Sequence, residues 1–224
     1  MNPWLTVVIP ALNEAARLPR LLGVLQPWRG QGVEVVLVDG GSADDTPVLA
    51  EPLVDQLLLA QRGRARQMNV GATAARAPLL WFVHADSDIN DHHLRALQGL
   101  PEGPLWGRFD VRLAGHWLLP LVAGAMNLRS RLTGIATGDQ AIFVSRSLFD
   151  GMGGFPEQPL MEDIALSARL RRLRRPDCLR LKLGVDARRW RQKGVLRTIL
   201  QMWWLRFRYW RGADPATLHR EYYR

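Results

Sequence analysis

The chain alternates between short, almost wholly apolar runs and longer stretches whose apolar positions recur every three to four residues. Thr6-Val7-Val8-Ile9 is a β-branched run closed by Pro10. Behind it, Leu18, Leu21, Leu22 and Leu25 repeat at helical spacing, after Asn13, a residue able to cap a helix. A second run, residues 33–38, stops at Asp39-Gly40-Gly41-Ser42. A third, residues 79–83, stops at His84-Ala85-Asp86-Ser87-Asp88. Continuous apolar strands separated by helices predict a parallel sheet covered on both faces. Ligands of such sheets gather at the carboxyl ends of the strands, so the three polar strand ends should share one edge.

The second half is less regular. Its pattern predicts a strand over residues 105–113, a helix over 117–132 and a strand over 140–145. A glycine-rich loop at 151–156 leads to Glu162-Asp163 and a helix bearing Leu166, Leu170 and Leu173, and residues 178–185 alternate like a strand. Over residues 193–211, Lys193, Arg197, Gln201, Arg208 and Arg211 fall along one helical line. Val195, Leu196, Ile199, Met202, Trp203, Phe207 and Trp210 take the other side, with Arg206 among them. Two readings of this segment stand: a helix packed on the domain with solvated arginines, or an interfacial helix against an anionic membrane. In either, Arg206 should face the protein.

Composition narrows the class. With 224 residues, 47% apolar and 23% charged, the chain suits one globular domain and excludes a disordered or collagen-like one. The single cysteine, Cys178, excludes a disulfide framework and a cysteine metal cluster, and suits a reducing compartment. The opening MNPWLTVVIP lacks a basic leader and enters a strand at once, which argues against a signal peptide. No apolar run reaches the ~20 residues of a spanning helix. The net charge of +9 is concentrated: residues 169–224 hold seventeen basic and four acidic side chains. Such a tail suits a phosphorylated ligand, a polyanion or an anionic membrane surface.

Each chemical motif has an ordinary reading beside the functional one. Asp86 and Asp88 can hold a hard cation such as Mg²⁺ or Mn²⁺ while leaving positions for substrate phosphates, or form a polar turn. Asp39-Gly40-Gly41-Ser42 can cradle a phosphate or simply turn a strand into a helix; neither the dinucleotide nor the P-loop fingerprint is present. Glu162-Asp163 can be catalytic or complement a helix dipole. His84 reads as a packed imidazole.

Taken in order, Val8-Ile9-Pro10-Ala11-Leu12-Asn13-Glu14, Val38-Asp39-Gly40-Gly41-Ser42-Ala43-Asp44-Asp45-Thr46, Asp86/Asp88, Gly138-Asp139-Gln140 and Glu162-Asp163 resemble the family-2 nucleotide-sugar glycosyltransferases of GT-A fold. The segments 64–72 and 153–156 resemble a compact bacterial subgroup labelled for arsenosugar biosynthesis or association with selenium genes. The resemblance covers nearly the whole chain. It implies an α/β fold with a Rossmann-like, mostly parallel sheet, helices on both faces and a basic helical C-terminus. It implies a catalytic domain over residues 1–192, with a donor half to about residue 90 and an acceptor half beyond, followed by a basic aromatic tail over 193–224. Pro10, Ala11, Asn13, Glu14, Asp39, Ser42, Arg66, Gln67, Asn69 and Asp86 would bind the nucleotide, with Asp39 accepting from the base. Asp86 and Asp88 would hold the divalent metal. Asp163 would be the general base, with Glu162 beside it. Asp139, Gln140, Arg189 and Trp190 would serve the acceptor and diphosphate, although Asp186 departs from the family's glutamine before Arg189-Trp190 and argues against a processive role.

The expected reaction is inverting transfer from a nucleoside-diphosphate sugar, with UDP-sugar preferred, to a hydroxyl acceptor, a lipid-linked one included. The expected place is the cytoplasm, with peripheral attachment to the inner membrane face, and no nucleic acid as partner. A sugar-phosphate nucleotidyltransferase can share the fold but calls for a glycine-rich opening loop with Arg and Lys, and residues 10–30 hold no lysine. A non-enzymatic polyanion or membrane-surface binder would explain the tail but not the acidic strand ends.

Overall fold

The computed structural model describes residues 2–186, 190 and 194–223. Seven strands form one sheet: β1 (Leu5–Ala11), β2 (Val33–Asp39), β3 (Gln56–Leu59), β4 (Leu79–Phe82), β5 (Trp106–Leu113), β6 (Phe143–Ser145) and β7 (Asp177–Val185), in the order β3-β2-β1-β4-β6-β5-β7. All pairings are parallel except those of β6, which runs antiparallel to β4 and to β5. β1 and β2 read as unbroken apolar runs because helices cover both faces. On one face lie α1 (Leu18–Arg29), α2 (Thr46–Ala50) and α4 (Asp91–Gln98), whose Leu22, Trp28, Ala50 and Leu94 join a core with Val7, Val35 and Trp81. On the other lie α3 (Arg64–Ala74), α6 (Arg146–Gly151) and α7 (Glu162–Leu173), packed through Met68, Phe149 and Leu166 against Val8 and Phe82.

Helix α3 sits flush on the sheet. A Cβ at Gly71 would stand 2.4 Å from Val8 Cγ1 and 3.1 Å from Val38 Cγ2, so only glycine admits this approach. The carboxylate of Glu34, buried in mid-strand, accepts from Thr6 Oγ1 (2.6 Å) and from Arg76 Nε (2.6 Å), which offsets its desolvation.

Helix α5 (Leu119–Thr133) packs on β5, and α8 (Val195–Trp210) and α9 (Pro215–Tyr222) follow β7. Leu205 of α8 and Leu218 of α9 bury against Met161 at the start of α7. The C-terminal helices thus dock where the candidate catalytic carboxylates begin.

Two local expectations change. Asn13 does not cap α1, whose N-cap is Arg17; Asn13 adopts φ of 55° and its Oδ1 accepts from Ala43 N (2.8 Å), tying the β1 and β2 turns together. The strand expected over 140–145 is only Phe143–Ser145, because Gly138–Gln140 closes a 3₁₀ turn.

Candidate active site

Three strand ends meet as their polar termini suggest. Asp39 at the end of β2 spends its carboxylate on its own turn: Oδ2 accepts from Gly41 N (2.9 Å) and Ser42 N (2.9 Å), and Oδ1 from the Ser42 hydroxyl. Ser42 Oγ in turn accepts from Asn13 N (2.9 Å). Gln67 of α3 is buried and donates through Nε2 to Ala11 O and Val38 O, both 2.8 Å, clamping the ends of β1 and β2.

Beside this clamp opens a cavity of 360 Å³ lined by Pro10, Ala11, Glu14, Arg64, Gln67, His84, Asp86 and Glu162. Its far wall comes from α9, through His219 and Tyr223, whose rings lie 4.6 Å apart. Of the residues expected at a nucleotide, Pro10, Ala11, Glu14, Gln67 and Asp86 line it. Asn13, Asp39 and Ser42 build the adjoining turn. Arg66 and Asn69 stand elsewhere: Arg66 Nη1 donates to Gln61 Oε1 (2.6 Å), and Asn69 exchanges bonds with both backbone groups of Phe155 (2.8 and 2.9 Å). On an α-helix a step of two residues turns about 200° and a step of three returns to the same face. Arg64 and Gln67 therefore share the cavity side, and Arg64, not Arg66, is the α3 arginine brought to it, beside Arg62 of the preceding loop. Burial works against its charge, yet the Glu162 and Asp139 carboxylates hold Arg64 above the ordinary arginine range.

The carboxyls here are perturbed. Burial, then the neighbouring Asp139 and Glu14 carboxylates, push Asp86 up to about 6 against the pull of Arg64. Burial and Asp163 push Glu162 up to about 7. Burial and Arg64 press His84 down to about 3, so its imidazole is neutral. Asp163, the next residue, turns its carboxylate to the 138–140 turn and accepts from Gly138 N (2.7 Å) and Ile164 N (2.7 Å). A Cβ at Gly138 would stand 2.7 Å from His84 Cε1, so the 3₁₀ turn carrying Asp139 lies directly against the end of β4.

Asp86 and Asp88 both border a second cavity of 560 Å³, with Arg17, Arg20, Arg112 and Asp186. Asp88 pairs with Arg20 (3.0 Å) and Arg112 (3.6 Å), and its backbone bridges to Gly184 of β7. Among the described residues no group of three or more His, Cys, Asp or Glu could hold a metal alone. Two carboxylates on an open cavity wall, both oxygen ligands, suit a hard cation that shares its shell with phosphate.

On the acceptor side the expectations divide. Asp139 and Trp190 line a 430 Å³ groove between α5 and α8. Gln140 is fully buried beneath the 3₁₀ turn, its Oε1 accepting from Thr137 N (3.1 Å), and does not face the site. Arg189 and Lys193 lie outside the described residues. Arg206 faces the protein, as its place on the apolar side suggested, within electrostatic reach of Asp163 and Asp139.

The model of the family described as glycosyl transferase family 2 matches residues 6–102. An uncharacterized glycosyltransferase of Mycobacterium tuberculosis is 30% identical over 167 residues, which are 68% of this chain and 63% of that protein. This chain therefore spans about 63% of the length of the curated relatives it matches. Among solved structures, S. aureus TarS 1–349 in complex with UDP superposes with a TM-score of 0.65 at 19% identity, over 83% of this chain and 60% of that one. Glucosyl-3-phosphoglycerate synthase from Mycobacterium tuberculosis, in complex with Mn²⁺, UDP and glucosyl-3-phosphoglycerate, gives 0.60 at 22% identity, over 82% and 71%. At these identities the likeness shows the fold, the mostly parallel GT-A sheet.

Proposed function

The chain belongs to glycosyl transferase family 2, and from that premise we propose that it moves a sugar from a nucleoside-diphosphate sugar to a hydroxyl acceptor with inversion at the transferred carbon. The carrying observation is that two adjacent carboxyls, Glu162 and Asp163, begin α7 between a polar cavity and a groove. Glu162 faces the cavity at the ends of β1 and β4, while Asp163 lies within electrostatic reach of Arg129 and Arg206, which line the groove between α5 and α8. Donor and acceptor would approach from opposite sides and meet there.

In this reading the nucleotide occupies the cavity lined by Pro10, Ala11, Glu14, Gln67, His219 and Tyr223, and Arg64 offsets negative charge on the diphosphate. Glu162, its affinity for a proton raised by burial and Asp163, would stand beside the phosphates as a carboxyl that, when protonated, can donate a hydrogen bond. Asp163 takes the proton of the acceptor hydroxyl. The acceptor oxygen bonds to the sugar carbon as the bond to the diphosphate oxygen breaks, and the nucleoside diphosphate leaves. Asp86 and Asp88 would hold a divalent cation, Mg²⁺ or Mn²⁺, which when bound offsets the charge gathering on the leaving group. UDP is the preferred nucleotide, in line with the UDP complexes of two structural neighbours.

A thermal-shift series with UDP, with and without Mn²⁺, tests the donor half. A ligand at ~100 Kd stabilises the native state by ~2.7 kcal/mol. The parent should show this gain only with both components, and Asp88→Ala should lose it while melting normally alone. Equal Mn²⁺–UDP stabilisation of the variant would refute the metal assignment.

A further inference from the structure

The cavity at the ends of β1 and β4 is walled in part by chain from the far end of the sequence. Pro10, Ala11 and Leu12 at the end of β1, with Pro159 and Leu160, give it apolar sides. Among the described residues that line it, three carry rings: His84, His219 and Tyr223. His84 is buried and lies against Gly138, so its ring is spent on packing. The motifs at the ends of β1, β2 and β4 bring no larger aromatic, since residues 10–14, 39–46 and 84–88 hold no Phe, Tyr or Trp. The open rings of this cavity come from the C-terminal chain.

Tyr223 is held in place and yet open. Its ring stands 4.6 Å from that of His219 and 4.9 Å, edge-on, from that of Tyr222, but the residue is 62% exposed. His219 lies one turn earlier, on α9, and α9 is anchored. Leu218 is fully buried with Met161 and Leu205, Asp214 caps the helix by accepting from Thr217 N (3.0 Å), and Glu221 pairs with Arg208. An anchored helix and two neighbouring rings fix the Tyr223 ring before a ligand arrives, so little entropy is lost when a flat molecule covers it. Arg64 lies within electrostatic reach of Tyr222 and Tyr223. A nucleotide whose phosphates meet Arg64 therefore shares one cavity with this ring.

We propose that Tyr223, braced by His219, is the platform on which the base of the nucleotide donor stacks. This rests on the glycosyl-transfer reading and deepens its donor side. Every nucleobase presents a π face, so stacking adds affinity and leaves the choice among bases to hydrogen-bonding groups. The apolar residues at the end of β1 and at 159–160 keep the same space poor in water, which favours a flat, weakly hydrated base there. The phosphates draw on Arg64 and the base draws on the ring. Probes that carry both parts, or only the phosphates, separate the two contributions.

Calorimetric titration of the full chain with UDP, GDP and inorganic pyrophosphate, each with Mn²⁺, tests this directly. Tyr223→Ala should weaken the nucleotide that the parent binds by about tenfold or more, the usual cost of removing an aromatic platform from a stacked base. Pyrophosphate should keep its parental affinity in that variant. Tyr223→Phe, which retains the ring, should bind every probe as the parent does. Both variants should melt as the parent does, because Leu218 still anchors α9. Nucleotide affinity unchanged or raised in Tyr223→Ala, an equal loss for pyrophosphate, or the same loss in Tyr223→Phe would overturn the proposal. A parent that binds nucleotides no more weakly than Tyr223→Ala does refutes this inference alone. A parent that binds pyrophosphate but neither nucleotide refutes the donor reading instead.

Discussion

In the cavity at the ends of β1 and β4, polar groups answer one another. Gln67 bonds to two carbonyls, Asp39 closes its own turn, and Arg64 sits among the carboxylates of Glu162 and Asp139. In the groove between α5 and α8, the walls are apolar and the floor leaves donors of Arg129 without partners among the described residues. The first is a preorganised polar pocket on a rigid sheet edge, suited to a charged ligand that must be oriented. The second is a slot between two helices, apolar along its walls and charged at its floor. The difference teaches that adjacent residues of one helix can meet different surroundings, Glu162 lining the cavity and Asp163 bonding to the 138–140 turn, because consecutive helical residues point about 100° apart.

The sharpest way to break this comparison is at that adjacent pair. Asp163→Asn keeps the shape and can still receive the Gly138 N–H through its amide oxygen, but cannot take a proton. Transfer or donor hydrolysis should fall ~10²–10⁴-fold, with binding of UDP kept. Near-parental turnover at saturating ligands would remove Asp163 from the base role.

A change on the donor side alone comes next. Gly71→Ala places a methyl carbon 2.4 Å from Val8 Cγ1, and Val8 is a stiff β-branched residue in a buried strand. Chemical denaturation should show a loss of ~1–3 kcal/mol, and UDP should bind more weakly because α3 carries Arg64 and Gln67. An unchanged denaturation midpoint would mean that α3 is not held as tightly as described.

The smallest effect is a slope. The Glu162 carboxyl titrates near 7 in the folded chain against an ordinary value of 4.5, so between these values the folded state holds more protons than the unfolded one. Its contribution to stability is fully present below about 4.5 and is lost as pH rises through about 7. Glu162→Gln should flatten the fall in melting temperature between about pH 5 and about pH 7. A parental slope in the variant would assign the pH dependence to other groups.

Much of the polar cavity was legible in the sequence, because its parts are local. Apolar runs of four to six residues ending in Asp39 or in Asp86-Ser87-Asp88 specify strands and their reactive ends, and β1, β2 and β4 follow those runs closely. Motif order also carried the family and the GT-A sheet. Facing was less legible: the segment Arg64-Ala65-Arg66-Gln67 offers two arginines, and only the rotation of α3 on the sheet decides that Arg64 rather than Arg66 lines the cavity.

By itself, then, the sequence determined the strand–helix alternation, the shared edge of polar strand ends, the Asp86 and Asp88 pair, and the position of Glu162-Asp163 at the head of a helix. Only the tertiary structure decided that Gln140 is buried beneath its turn, that His219 and Tyr223, in and just after α9, return to wall the cavity at the ends of β1 and β4, and that Arg129 and Arg206 meet across a groove. It also decided the facing of α8: Arg208 and Gln201 turn to Glu221 of α9 while Leu196, Trp203 and Trp210 face outward. The physical reason is range. Strand and helix periodicity arises from backbone geometry within a few residues, whereas the face a helix buries depends on partners that are distant in the sequence. Between Arg129 and Arg206, seventy-seven positions apart, only packing brings the charges together.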